Sequence, residues 1–266
     1  MLLTGRDLCN VFLAGVFLLL LSCRVISGVE SDINCLRSIK ATLEDPLGML
    51  TSSWDFNNKT EGFVCNFLGI ECWHPHESKV INIKLGDLGL KGQFPRGVVN
   101  CTSLTGLDLS SNGLSGSLPS DIIKLIPFVT SLDLSSNSFS GPIPRNISNC
   151  TFLNVLKLDN NKFTGQIPAE LGQLSRLKTF SVANNQLSGP VPYFHNGTNN
   201  LDYAGNPGLC GGPLGSCQAA AKNKLSNDLV RVFKSYTVVM LGALGFGIGF
   251  VSSFFLFSSF DRTLRS

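Results

Sequence analysis

Two features of this chain resemble functional sites. A histidine pair resembles part of a metal site, and a glycine-rich run resembles a phosphate-binding loop. His74 and His76 form an H-P-H pair that could bind a metal ion, but no third ligand accompanies them. The run GALGFGIG over residues 242–249 resembles a phosphate-binding loop, which requires a lysine after it, whereas both flanks here are apolar. No hydrolase or metalloprotease motif and no paired carboxylates stand out. The sequence therefore predicts a protein that is not an enzyme and that binds no metal or cofactor.

The segments at the two ends of the chain indicate secretion and a membrane anchor. Residues 1–28 combine a charged start, an apolar run and a small-residue exit, which predicts a secretory signal peptide, with an uncleaved anchor as the alternative. Residues 236–260 carry no charge and exceed the roughly 20 residues that cross a bilayer, so we expect one transmembrane helix in membrane lipid. Residues 261–266 would then form a short cytoplasmic tail.

The predicted location is the plasma membrane, as a single-pass type I protein with its ectodomain extracellular. More basic residues precede the span than follow it, which alone favours the opposite topology; the signal peptide outweighs this signal. A lipid anchor that replaces the span is the alternative. Gly245 and Gly249 have the G-x-x-x-G spacing that lets helices approach closely, and they predict a weak homodimer. The net charge of +3 is too small to indicate a nucleic-acid partner.

A repeat occupies the middle of the chain. Four segments close to the form L-x-x-L-x-L-x-x-N-x-L-(S/T)-G-x-(I/L/V)-P start at Leu104, Val129, Leu153 and Leu177, and a degenerate first copy starts at Val80, so that five copies recur every 24 or 25 residues. Alternate apolar residues in each copy predict a short strand whose leucines point inward. The asparagine position forms a ladder in which each side chain can bond the backbone of a turn, and Leu88 replaces asparagine in the first copy. The ladder comprises Asn112, Asn137, Asn161 and Asn185.

The N-x-L-S-G-x-I-P form of this repeat resembles the plant extracellular class of leucine-rich repeats. That class occurs in receptor kinases, receptor-like proteins and polygalacturonase inhibitors. The resemblance implies a leucine-rich-repeat solenoid, an α/β fold with a short parallel sheet on its concave face, closed by disulfide caps and here joined to one transmembrane helix. We expect an N-terminal cap over residues 29–79, five repeats over 80–200, a C-terminal cap over 201–217 and a juxtamembrane linker over 218–235.

Both caps of that family have counterparts in this sequence. Trp54 followed by the C-x6-C pair resembles the N-terminal cap and implies a disulfide between Cys65 and Cys72. The segment YAGNPGLCGGPLGSC resembles the C-terminal cap and implies a disulfide between Cys210 and Cys217. Zinc binding is not favoured, because neither end supplies four ligands at finger spacing.

Three further cysteines lie in the mature chain. Cys101 and Cys150 fall at the same repeat position two coils apart, about 10 Å at the usual spacing of strands. A disulfide requires Cα atoms within about 7 Å. We therefore expect both residues to act as buried small hydrophobic side chains. Cys35, in the predicted cap helix, is expected to be a free buried thiol, with an intermolecular bridge as the alternative.

N-glycosylation is expected in such an ectodomain. The chain contains five N-x-(S/T) sequons, none on a predicted concave strand. Two of them lie too close together for joint occupancy to be expected. The sequons are at Asn58, Asn100, Asn146, Asn149 and Asn196.

The cap and the repeats of this chain, taken together, resemble one subfamily of these receptors. The segment CLRSIKATLEDPLGMLTSSW, the ECW before the first repeat, and NCTSL and NCTFL are similar to ectodomains of the BIR subfamily, inactive receptor kinases that interact with SERK co-receptors. The resemblance implies a non-catalytic receptor-like protein that binds SERK-type receptor kinases and modulates immune or growth signalling. The kinase-like domain of that subfamily is lacking here, so a truncated isoform or gene model is one alternative. A polygalacturonase-inhibitor-like protein, without a span, is the other.

Strand geometry indicates candidate residues for partner binding. Side chains that alternate with the inward leucines point to the concave face. They are mainly small or polar, and a five-coil arc encloses little volume, so we expect lateral contact with another ectodomain. The candidates are Lys84, Asp108, Asp133, Val155, Lys157, Asp159 and Thr179.

Overall fold

The computed structural model describes residues 30–58, 60–74, 76–194 and 198–217. The predicted signal peptide, linker, transmembrane span and tail lie outside these residues, as do Asn196 and the Gly245–Gly249 pair. Within the described residues, no helix combines the length and the apolar character that crossing a membrane requires.

An N-terminal cap of helices opens the described chain. Its helices are α1 over residues 30–42, α2 Met49–Ser53 and a 3-10 helix Phe63–Asn66. Ile33, Leu36 and Ile39 recur every third residue of α1, and all three are buried. This spacing gives the helix one apolar stripe, which faces the core.

Aromatic side chains fill the interior of the cap. Trp54 stacks on Phe67 with ring centroids 5.7 Å apart, and Phe56 meets Phe67 edge-on at 5.1 Å. The Trp54 indole N–H donates to the Leu68 carbonyl at 3.1 Å, which satisfies the one polar atom of a buried ring. Phe67 thus packs against both the Trp54 and the Phe56 rings in the interior of this cap.

Strands follow at regular intervals. They are β1 Ile70–Cys72, β2 Val80–Lys84, β3 Lys91–Gly92, β4 Gly106–Asp108, β5 Gly113–Ser117, β6 Ser131–Asp133, β7 Ser138–Pro142, β8 Val155–Lys157, β9 Lys162–Gly165, β10 Thr179–Ser181, β11 Gln186–Pro190, β12 Asn200–Asp202 and β13 Gly208–Cys210. Short helices lie between them: α3 Ile122–Leu125 and 3-10 helices at Arg96–Asn100, Arg145–Asn149, Ala169–Gln173 and Gly212–Leu214. Most coils thus run strand, strand, short helix, whereas the described residues between β11 and β12 contain no helix.

The concave sheet has the spatial order β1-β2-β4-β6-β8-β10-β12 in the described chain. β1 from the cap pairs antiparallel with β2, and the later strands pair parallel, one per coil. The parallel solenoid implied by the repeat is therefore confirmed. β12 adds a strand beyond the five predicted repeats, and its Leu201 is the register partner of the inward Phe180 on β10.

A second parallel sheet, which the sequence analysis did not predict, lies across the core. Its order in the described chain is β13-β11-β9-β7-β5-β3. Four of these strands, β5, β7, β9 and β11, contain the (L/F)-(S/T)-G part of the repeat. The glycine of that part adopts a positive φ, for example 78° at Gly165 and 85° at Gly189. Glycine is required there because a side chain disfavours this conformation.

Asparagine side chains connect successive coils beside the core. Asn161 accepts the Phe139 backbone N–H at 2.9 Å and donates to the Leu134 carbonyl at 2.9 Å, both in the preceding coil. It also donates to the carbonyls of Leu158 and Asp159 in its own coil. Buried backbone groups left open by the turn are thereby satisfied. Asn112, Asn137 and Asn185 repeat the pattern, and Asn206 continues it into the C-terminal cap.

The expectation of a free Cys35 and an unbonded Cys101 is wrong. The two residues form a disulfide with a Cα–Cα distance of 5.4 Å across 66 positions of sequence. Helix α1 packs directly on the 3-10 helix Arg96–Asn100, where a Cβ at Gly97 would overlap the Ser38 side chain. This close approach brings the two cysteines together, and local spacing in the sequence contains no sign of it.

The remaining described cysteines agree with a secreted ectodomain. Cys65 and Cys72 form a disulfide with a Cα–Cα distance of 5.6 Å. Cys210 and Cys217 are each disulfide-bonded. Cys150 is a buried free thiol, and burial raises its pKa to about 11. A thiol with such a pKa stays protonated and unreactive, so Cys150 acts as a core side chain.

Candidate partner-binding surface

The parallel register gathers six of the seven predicted contact residues into two columns on the concave sheet, and Asp159 lies just after β8. Val155 and Thr179 are neighbours in one column, together with Ser131 before them and Asn200 after them. The second column runs through Lys84, Asp108, Asp133, Lys157, Ser181 and Asp202. The strands therefore bring these candidates together on one face.

Charged side chains of the second column bond to neighbouring groups of the protein rather than projecting freely. Lys157 Nζ lies 3.1 Å from Asp133, and this hydrogen bond, with the nearby negative charge, raises the pKa of Lys157. Lys84 Nζ lies 2.5 Å from Glu71 on β1, and that hydrogen bond lowers the pKa of Glu71. Asp108 accepts the backbone N–H of Ser110 at 2.9 Å and its hydroxyl at 2.6 Å. Much of the hydrogen-bonding capacity of these residues is thus used within the sheet.

A shallow depression of about 550 Å³ lies at the C-terminal end of the concave sheet. Lys157, Asp159 and Thr179 line it, together with Asn200 and Asp202 of the unpredicted strand β12. Its mixed charges and open form suit the surface of a protein partner better than an enclosed small molecule.

An exposed aromatic row, which the sequence analysis missed, borders the concave sheet. Phe128 is 53% exposed and Phe152 is 39% exposed, and their ring centroids lie 6.2 Å apart. The Arg176 guanidinium lies 5.4 Å from the Phe152 ring centroid, within the range of a cation–π interaction. We call Phe128, Phe152 and Arg176 the aromatic edge. Their common position, directly before the first apolar residue of a repeat, is the signal that could have found them.

The described sequons differ in environment. Asn58, Asn100 and Asn149 are exposed, whereas Asn146 is half-buried and donates from Nδ2 to the Ser120 carbonyl. His74 and His76 are exposed on the cap, and no group of three or more metal-binding side chains occurs in the part of the chain that the structure describes.

Models of known protein families match both the N-terminal cap and the repeats of this chain. The leucine rich repeat N-terminal domain matches residues 29–73, and the leucine rich repeat matches residues 103–125, 128–150 and 152–174. The inactive LRR receptor-like serine/threonine-protein kinase BIR2 of Arabidopsis thaliana is 57% identical over 204 residues, which cover 76% of this chain and 34% of BIR2. The chain thus spans about a third of the length of that relative.

Solved structures with the same fold include two of high sequence identity. The crystal structure of the BIR2 ectodomain from Arabidopsis thaliana has a TM-score of 0.65 and 48% identity, covering 70% of this chain and 97% of that ectodomain. A chain of the BIR3–SERK2 complex from Arabidopsis thaliana has a TM-score of 0.64 and 42% identity, covering 70% of this chain and 98% of its own length. On these matches, the chain belongs to the plant extracellular leucine-rich-repeat receptor family, beside the ectodomains of the inactive BIR-type receptor kinases.

Proposed function

We propose that this chain is a non-catalytic cell-surface receptor-like protein that binds SERK-type co-receptor ectodomains and thereby modulates immune or growth signalling. Its leucine-rich-repeat ectodomain lies outside the plasma membrane in this proposal. A partner that is held in this way is withheld from other receptors, so the protein acts by occupancy and needs no catalytic group. The similarity to a chain of the BIR3–SERK2 complex supports this choice of partner.

The aromatic edge is the observation that carries the proposal. Aromatic and arginine side chains are enriched at protein–protein interfaces and supply much of the binding energy. Phe128 and Phe152 expose large apolar rings, although the core of the same coils offers buried sites for phenylalanine at Phe139 and Phe163. Arg176 packs on the Phe152 ring, which orders the guanidinium before any partner arrives. Preordered side chains lose less entropy on binding.

The proposed contact continues from the aromatic edge onto the concave sheet. Val155 follows Phe152 by three residues and Thr179 follows Arg176 by three residues, so each pair lies at the entry to one strand. Asp159 borders the depression beside them. Lys84, Asp108, Asp133 and Lys157 contribute mainly through the electrostatic potential of the face, because their charges are already paired or hydrogen-bonded.

Binding of a SERK ectodomain to the full chain tests this function. The chain is produced in a plant secretory host, solubilised in detergent and immobilised, and the affinity for purified SERK2 ectodomain is measured by interferometry. Phe152→Ala with Arg176→Ala should weaken binding by about tenfold or more, because truncation of an interface centre costs about 2 kcal/mol.

Trp73→Ala is the matched control, since Trp73 is a 65% exposed aromatic residue of the cap, outside the aromatic edge. Its affinity should equal that of the unmodified chain. Absence of SERK2 binding by the unmodified chain would refute the proposed function. Unchanged binding by the double variant would refute the assignment of the aromatic edge.

A further inference from the structure

Two consecutive sequons begin in one short helix and offer alternative sites for a glycan. Asn146-Ile-Ser148 and Asn149-Cys-Thr151 both begin within the 3-10 helix Arg145–Asn149. An N-linked glycan is bulky and must lie at the surface. The structure gives the two asparagines opposite environments.

Asn146 is directed towards the preceding coil. Its Nδ2 donates to the Ser120 carbonyl, and its Oδ1 is buried without a hydrogen-bond partner in the described chain. The Ser148 hydroxyl of the same sequon donates to the Arg145 carbonyl at 2.8 Å. A sugar on Nδ2 would stand between Asn146 and Ser120 and would separate two coils.

Asn149 is directed to solvent. The residue is exposed, as is Thr151, and its side chain makes no hydrogen bond within the described residues. Asn100 has the same arrangement two coils earlier, where it ends the 3-10 helix Arg96–Asn100 and is exposed. In the coil between them, Leu125 ends helix α3 and is buried. A glycan at Asn149 or Asn100 therefore displaces no contact of the fold.

We propose that Asn149 carries an N-glycan, as Asn100 does two coils earlier, and that Asn146 stays unmodified as a contact between coils. The donor is a lipid-linked oligosaccharyl diphosphate. A bond forms between Asn149 Nδ2 and the anomeric carbon of the oligosaccharide, the bond from that carbon to the diphosphate oxygen breaks, Nδ2 releases one proton, and the lipid diphosphate leaves. The proposal rests on the extracellular location in the proposed function, and it does not depend on the identity of the partner.

Site mapping on the full chain from plant membranes distinguishes the two asparagines. Trypsin cleaves after Arg145 and Lys157 and releases one peptide that contains both sequons. Deglycosylation with peptide:N-glycosidase A in oxygen-18 water converts a glycosylated asparagine to labelled aspartate, and fragmentation of the peptide locates the label. We expect the label at Asn149 and none at Asn146.

Single-residue variants test the same assignment by gel mobility and labelling. Asn149→Gln and Thr151→Ala should each remove one glycan. Ser148→Ala destroys only the sequon of Asn146 and should leave the number of glycans unchanged, even if Asn146→Gln lowers stability. A label at Asn146, an unlabelled Asn149, or loss of a glycan in Ser148→Ala would overturn the proposal. SERK2 binding by the same preparation reports separately on the proposed function.

Discussion

Single asparagines and one buried aspartate show how much of this fold depends on individual polar residues. A ladder asparagine bonds two coils at once, because its amide both accepts from the preceding coil and donates to it, as Asn161 does with Phe139 and Leu134. Such a group is costly to remove, since the partners it leaves are buried and cannot reach water.

Replacement of Asn161 by alanine should lower the free energy of unfolding by about 2 to 3 kcal/mol, because the Phe139 N–H and the Leu134 carbonyl lose their partner. Urea unfolding followed by circular dichroism measures the change. Asn154→Ala is the control, because the half-buried Asn154 side chain makes no hydrogen bond within the described chain. Equal losses in the two variants would contradict the structural role of the ladder.

Asp32 links the cap helix to the first repeat through a titratable contact. It is 1% exposed and accepts the Val80 N–H at 2.8 Å. Burial raises the pKa of Asp32 from 3.8 to about 6, against the lowering effect of its backbone hydrogen bonds and of Lys79. The folded state therefore binds the proton more tightly than the unfolded chain does. The stability that results is fully present below pH 3.8 and is lost as the pH rises through 6.

The chain should accordingly gain roughly 1 kcal/mol of unfolding free energy from Asp32 between pH 7 and pH 5. Asp32→Asn keeps an acceptor for the Val80 N–H and removes this gain. Urea midpoints at both pH values, compared between the two proteins, isolate the contribution from that of other carboxylates. Glu61→Gln, at an exposed residue, should leave the pH dependence as it is. An unchanged dependence in Asp32→Asn would exclude Asp32 as its source.

The strands of the concave sheet place each residue of one coil beside the equivalent residue of the next coil. Asp133 on β6 and Lys157 on β8 are direct register partners, and their ion pair spans the middle of the concave sheet. Cross-strand pairs of opposite charge stabilise a sheet modestly, whereas the sign of the charge at each position sets the potential that a partner meets.

Exchange of the two charges in Asp133→Lys with Lys157→Glu retains an opposite pair but reverses the local polarity. If the concave face contacts a SERK ectodomain, affinity should fall, with stability reduced by about 1 kcal/mol through loss of the Ser135 hydrogen bonds. The matched control exchanges the charges of Arg96, in a 3-10 helix, and Asp121, directly before α3, whose side chains are 2.6 Å apart. Unchanged affinity in the first variant would remove the concave residues from the proposed interface.

At the scale of the whole molecule, the cap and the repeats share one core. Helix α1, the concave strands and the second sheet all contribute side chains to a single buried cluster. The Cys35–Cys101 disulfide and the Gly97–Ser38 contact hold the cap on the first coil. A solenoid needs such a cover, because its end coil would otherwise expose apolar side chains.

Cys35→Ser with Cys101→Ser should lower the free energy of unfolding by about 4 kcal/mol, since the bridge closes a loop of 66 residues. Differential scanning calorimetry should show a lower midpoint, with the cap unfolding first. Cys150→Ala provides the control for cysteine removal in the core, and its cost should be that of a small cavity. A double variant as stable as the unmodified chain would mean that packing alone attaches the cap.

The periodic part of the structure followed from the sequence. The recurrence of leucine every 24 or 25 residues predicted the parallel concave sheet, because each coil repeats the same local pattern of inward and outward side chains. The same pattern placed Val155, Lys157 and Thr179 on one face before any contact was known. Such inferences need only the order of residues within one coil and the stacking of coils.

Contacts between distant residues were decided by the tertiary structure alone. The pairing of Cys35 with Cys101 depends on how α1 lies across the first coil, and strand β12 extends the concave sheet by pairing with β10. The residues of the aromatic edge share one repeat position in the sequence, but their exposure and mutual contacts are seen only in the stacked coils. The sequence by itself thus determined the repeating unit, whose pattern is local, while the tertiary structure decided the cap bridge and the grouping of the aromatic edge, which join residues that are distant along the chain.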